Sequence, residues 1–214
     1  MRNAMRGGAL LAIALVLLPP LYDDADLLFS AHMMQHLLLI AAAAPLLAAG
    51  GALDGFAQTS FGRKFSEPPT AWLLFVGIFL FWHWPVAFRW AAQAEWSRLL
   101  ELASILGSAS VFWTTALSAD NPGRLGGGAR ALFVMTAAVV TDLPGVIMLF
   151  APRAICTMPH ENAPAFGVTP LEDQQIAGLL MWVPANLVFF AIATWLFALW
   201  ISENSVEHSP RNNP

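Results

Sequence analysis

The chain has 214 residues, of which 57% are hydrophobic and 11% charged, and its mean hydropathy is +0.61. Soluble domains carry about 25% charged residues, so this composition excludes an ordinary soluble enzyme, and its apolar content excludes disorder. A net charge of -4 with only 10 dispersed Lys and Arg argues against a nucleic-acid partner, and one cysteine, Cys156, excludes a disulfide framework or an all-cysteine metal cage.

In chain order the apolar runs fall at about Gly8–Tyr22, Leu27–Leu53, Thr70–Trp90, Leu99–Leu117, Ala129–Phe150 and Ile176–Ile201. A helix needs about 20 mostly apolar residues to cross a hydrocarbon core of about 30 Å, so these runs predict about six transmembrane helices. The runs are continuous, without the alternation of a membrane β-barrel. The expected fold is an all-α polytopic membrane bundle, one domain over residues 1–202 with a polar cytoplasmic tail over 203–214. The first run is short, ends in Pro19-Pro20 and follows Arg2 and Arg6, which gives it the look of a signal peptide. No small-x-small cleavage site precedes Asp23, so a retained helix is the expectation.

Lys and Arg set the orientation. With six spans and the N-terminus inside, Arg2, Arg6, Arg63, Lys64, Arg124, Arg130 and Arg211 are cytoplasmic, and Arg89, Arg98 and Arg153 are outside; these are all 10 basic residues. Both termini are therefore expected in the cytoplasm, in a multi-pass protein of the cell (inner) membrane. His32, His36, His83 and His160 then share the outer side, and His208 lies on the other.

His32 and His36 are four residues apart, on one face of a helix and one turn from each other. Two imidazoles there can share a metal ion, and His83, at similar depth on the next span, is the natural third ligand. The neighbouring Met33 and Met34 favour a soft ion such as Cu(I) over Mg or Ca. A histidine at a membrane interface also serves as an anchor or an interhelical hydrogen-bonding group. The outer loop adds Cys156, Met158 and His160, and the entrance to the last span adds Asp173 and Gln174, as additional metal-binding or partner-facing residues. Asp173 can equally act as a cap or first-turn acid of its own helix. Asp142 lies within the fifth span, where a carboxylate must be paired or neutral; Asn186, beside Pro184, is a candidate partner. Arg98 and Glu101, three residues apart, read as an interfacial pair. No phosphate loop, nucleophile elbow or zinc-protease motif is present, so no enzyme is expected.

Three stretches carry a family likeness. They are His32-Met33-Met34-Gln35-His36 followed by Pro45-Leu46-Leu47; Trp82-His83-Trp84-Pro85; and Thr169-Pro170-Leu171-Glu172-Asp173-Gln174-Gln175-Ile176-Ala177-Gly178 running into Met181-Trp182-Val183-Pro184. Over roughly residues 28–200 the chain resembles the CtaG-like family of multi-span cytochrome c oxidase assembly factors. Similar proteins often have a histidine after the glutamate of the fourth span, where this chain has Leu102. The resemblance implies a membrane assembly factor for haem-copper oxidase that handles or delivers copper at the outer face, with oxidase subunits and the lipid bilayer as partners. A haem-binding electron-transfer protein, with paired histidines as axial ligands, and a metal transporter are the alternatives. The basic asymmetry predicts that a reporter fused after Ser202 scores as cytoplasmic; periplasmic activity there would reverse the orientation and move the histidines to the other side.

Overall fold

A computed structural model describes residues 1–118 and 125–207. Arg124, His208 and Arg211 lie outside the described residues. The helices are α1 (Arg2–Leu17), α2 (Leu21–Asp24), α3 (Phe29–Leu37), a π-helical turn (Leu38–Ala43), α4 (Ala44–Ala49), α5 (Asp54–Gln58) and α6 (Ser60–Phe65). They continue as α7 (Pro68–Trp82), α8 (Pro85–Ala91), α9 (Glu95–Leu117), α10 (Gly127–Phe150) and α11 (Pro170–Glu207). The all-helical class is as expected, and no strand occurs among the described residues.

Four runs are long and apolar enough to cross a bilayer: Phe29–Ala49, Glu95–Leu117, Gly127–Phe150 and Pro170–Ser205. Helices α7 and α8, bent by 78° at the break between them, make a fifth if taken as one span. The expectation of about six is slightly high, and α1 is the reason. Its 16 residues rise only about 24 Å. It still packs along the first span in the opposite direction. Arg6 Nε donates to the Gly50 carbonyl (2.9 Å) at one end, and Gln35 Nε2 donates to the Val16 carbonyl (2.7 Å) at the other.

The punctuation is written in the sequence. Gly51, at φ 67°, ends α4: its amide bonds the Ala48 carbonyl, and the Ala52 amide reaches back to Leu47. Pro68-Pro69 opens α7, where the missing amides cost nothing. Pro85 restarts the chain as α8 after the turn at His83 and Trp84. Thr169 and Glu172 cap α11 reciprocally: Glu172 accepts from the Thr169 amide (2.8 Å), and the Thr169 hydroxyl accepts from the Glu172 amide (3.3 Å).

Helix α11 lies against α10 and α3, and α9 lies against α4 and α7. The core is aromatic, built from Phe75, Phe112, Trp113, Phe133 and Phe189. Large apolar side chains such as Leu132, Val139, Ile147 and Leu187 point outward, as they do where the surroundings are lipid. Helices α10 and α11 touch through glycine. A Cβ on Gly178 would lie 2.6 Å from the Gly145 carbonyl oxygen and 2.8 Å from the Leu149 amide. Both are backbone atoms, so they cannot rotate away. Gly178→Ala is therefore expected to part the two helices and cost about 1–3 kcal/mol, read as a lower thermal midpoint in detergent. Gly77→Ala, in the interior of α7 and meeting nothing within 4 Å, is the control and should hold or slightly raise the midpoint, since alanine favours the helix.

Candidate metal centre

The turn of the chain from α2 into α3 sets the site. The first amides of α3 have no cap from their own sequence, since the preceding residue is Leu28. Asp173, 144 positions from Phe29, supplies it from α11: its carboxylate accepts from the Phe29 amide (2.6 Å) and the Ser30 amide (3.1 Å). An anion at a helix N-terminus meets both the free amides and the positive end of the dipole. With α3 fixed this way, His32 and His36 turn inward and are both buried.

Their partner is Glu101 of α9, which is also fully buried. His32 Nε2 lies 3.3 Å from the carboxylate and His36 Nε2 lies 3.4 Å from it. One ligand atom from each of the three residues falls within 4.8 Å of the other two. Ligands sharing one ion at about 2.0–2.2 Å lie within about 4.4 Å of each other, so closure by a few tenths of an ångström completes the group. His36 also touches His83, with ring centroids 5.4 Å apart, and His32 touches His36 at 4.7 Å. The three imidazoles form a row, walled by Phe88 on His32 and Phe79 on His83.

The unsatisfied atoms point to a ligand. His32 Nδ1, both nitrogens of His36, His83 Nε2 and Glu101 Oε2 are buried without a hydrogen bond. His83 Nδ1 donates to the Phe79 carbonyl (2.7 Å). A carbonyl only accepts, so Nδ1 carries the proton of the neutral ring and Nε2 keeps its lone pair. Metal-ligating histidines are commonly held this way, one ring nitrogen donating to a carbonyl while the other is left free for the ion. The break after α7 supplies it, because His83 sits at the helix end and caps its own last turn. The π-helical turn follows His36 directly. It leaves the Ile40 carbonyl to be taken by the Trp113 indole (2.8 Å), and such turns are frequent at functional sites.

The family model of the cytochrome c oxidase caa3 assembly factor (Caa3_CtaG) matches residues 2–203. The chain belongs to this family. No curated protein and no solved structure matches it.

The site of this assembly-factor chain is drawn differently from its sequence in three respects. Glu101 is no interfacial partner of Arg98. The two point apart: Arg98 pairs with Asp26 and donates to the Tyr22 carbonyl (2.7 Å) and to Gln35 Oε1 (3.2 Å). Three-residue spacing allowed an Arg98–Glu101 contact, but the histidines across the bundle bind the carboxylate more closely. The signal for Glu101 was its position inside an apolar span, the same signal that singled out Asp142.

Asp173 and Gln174, expected as metal- or partner-facing residues, are fully buried. Asp173 is a first-turn acid of α11, as expected, but the amides its carboxylate caps are those of α3. Gln174 accepts from the amides of Ile155 (2.6 Å) and Cys156 (3.0 Å) and donates to the Met148 carbonyl (3.0 Å), so it pins the loop between α10 and α11. The loop residues separate. Cys156 and Met158 are buried and His160 is exposed. The group among the described residues that could hold a metal ion is His32, His36 and Glu101, without Cys156 or His160. Burial pushes the Cys156 thiol above its ordinary value, against the pull of the Arg89 charge, which disfavours the thiolate a metal needs. Asp142 accepts from Asn186 Nδ2 (2.8 Å), the partner read for it from the sequence.

Because Asp173 uses a different oxygen for each amide, asparagine cannot replace it: one amide would face an NH2 group. Asp173→Asn and Asp173→Ala are both expected to speed hydrogen exchange at Phe29 and Ser30, with alanine costing about 1–2 kcal/mol. Unchanged exchange in both variants would remove Asp173 from the architecture of the site.

Proposed function

We propose that the chain is a membrane assembly factor for haem-copper cytochrome c oxidase that holds copper as cargo, bound by His32, His36 and His83 with Glu101 beside them, and passes it on at the outer face of the membrane. It acts as a chaperone and carries out no reaction of its own. The observation that carries this reading is the convergence of His32 and His36 on one buried carboxylate, with further buried imidazole nitrogens around it left without a hydrogen bond. Imidazole suits copper. The charge balance favours the monovalent ion: one carboxylate with neutral histidines neutralises Cu(I), whereas a divalent ion leaves a net charge buried in apolar surroundings.

The orientation follows from the charges. Arg2 and Arg6 lie at the α4 end of the bundle, and Arg130 Nε donates to the Ala116 carbonyl at the far end of α9 (2.7 Å). The histidines lie at the opposite end of these helices. The positive-inside rule puts the basic end and both termini in the cytoplasm, and hence the histidines toward the outer face. Copper entering oxidase from outside would meet them there. The haem alternative finds little support, since the cavity beside His36 is about 30 Å³, far too small for a porphyrin. Asp142 is engaged by Asn186 and lends nothing to a transport path.

The test is metal binding by the purified full chain in detergent, beside the state of the oxidase in cells. Wild type is expected to bind Cu(I), and His32→Ala/His36→Ala to lose it. His83→Ala or Glu101→Gln should weaken binding by roughly 10- to 100-fold. Cells with these variants should make oxidase that contains haem but lacks copper, and excess copper should restore part of it by mass action. Normal copper binding by a well-folded His32→Ala/His36→Ala protein would overturn the proposal.

A further inference from the structure

Two cavities bear on the histidine–glutamate group, one lined by His36 itself and one reaching toward it through Arg98. One is the apolar space of about 30 Å³ between His36, Phe75, Phe79 and Met181. The other is a cleft of about 370 Å³, lined by Tyr22, Asp26, Gln93, Glu95, Arg98 and His160. Its rim is open: Gln93, Glu95 and His160 are exposed, and the Asp26 side chain is 53% accessible. Its floor is closed by Arg98, whose side chain is 5% accessible.

Arg98 stands between the cleft and the buried group. It is one helical turn before Glu101 on α9, and it donates to Gln35, the residue before His36. On the cleft side it is held by Asp26 and by the Tyr22 carbonyl, and its guanidinium stacks on the Tyr22 ring at 4.1 Å. Its Nε, buried, has no hydrogen-bond partner. The guanidinium is thus a plug held on the outside by Tyr22 and by one half-exposed carboxylate, Asp26, its only charged partner among the described residues. A cation entering the cleft meets two carboxylates, Asp26 and Glu95, and an imidazole, His160. At Asp26 it competes with Arg98 for the same oxygens.

We infer that the Tyr22–Asp26–Glu95–Arg98–His160 cleft is the passage by which a soft monovalent metal cation enters and leaves the His32–His36–Glu101 group, with Arg98 the gate and Asp26 its latch. The inference rests on the copper-handling reading above and adds the route. A charged ion takes the polar opening, because the apolar cavity offers it nothing in exchange for its hydration. Since the gate lies on the path and outside the ligand set, it governs rates and leaves affinity alone.

The experiment follows Cu(I) delivered from a chromogenic chelator to the full chain in detergent, then withdrawn by excess chelator. Equilibrium affinity is measured separately. Gln93→Trp, which fills the cleft from its exposed rim, is expected to slow loading and withdrawal together by about tenfold at unchanged affinity. Asp26→Asn, which unlatches Arg98, is expected to speed both. Ala185→Leu, which fills the apolar cavity, should change neither rate. Wild-type rates in Gln93→Trp overturn the passage while the copper site stands; slowed exchange in Ala185→Leu alone moves the route to the apolar side. If Gln93→Trp fails to accumulate, Asp26→Asn decides, and unchanged rates there overturn the gate. Failure of wild type to bind Cu(I) at all is the distinct result that removes the underlying site.

Discussion

A carboxylate inside an apolar helix bundle has to be answered by something, and around Glu101 the rest of the molecule is arranged to answer it. Its solvation is gone, and an unpaired buried charge costs several kcal/mol. Two imidazoles from α3 stand against it at 3.3 and 3.4 Å. For both to reach it, α3 must lie at one rotation and one depth beside α9. Asp173 fixes the start of α3, Gln35 ties its middle to α1, and the π-helical turn absorbs the change of register before α4 begins. The hydrogen bonds remain incomplete even so, and the buried nitrogens left over are what a metal cargo would satisfy.

The broken span is the second constraint. A straight helix through residues 68–91 would carry His83 past the site on a continuous backbone. The Trp84-Pro85 junction stops α7, turns the chain by 78°, and brings Phe88 of α8 against His32 while His83 reaches His36. The Phe88 wall of the histidine row comes from that bend, and the Phe79 wall from the last turn of α7 before it.

Much of this was legible in the sequence because membranes impose strong patterns. Continuous apolar runs named the helical bundle and four-residue spacing put His32 and His36 on one face, whereas the break at Trp82–Pro85 falls in the interior of the single span expected over Thr70–Trp90. What escaped reading depended on long-range geometry. Local spacing gave Glu101 only Arg98 as a partner, and the fold directs Arg98 to Asp26. Asp173 had the position of a cap for its own helix, and the capping box of Thr169 and Glu172 already fills that role, which frees Asp173 for α3. The count of spans ran high because α1 is apolar enough to cross but too short.

The bond between Asp173 and the start of α3 also orders events in time. The chain is threaded into the bilayer from its N-terminus, so His32 and His36 are inserted long before residue 173 is made. Until α11 arrives, the amides of Phe29 and Ser30 lack their acceptor, and the helix bearing the histidines has no fixed register against α9. The cluster therefore becomes competent only when the last span docks. An unfinished or truncated chain lacks the converged His32–His36–Glu101 arrangement, so completion of the polypeptide itself acts as a checkpoint on formation of the cluster.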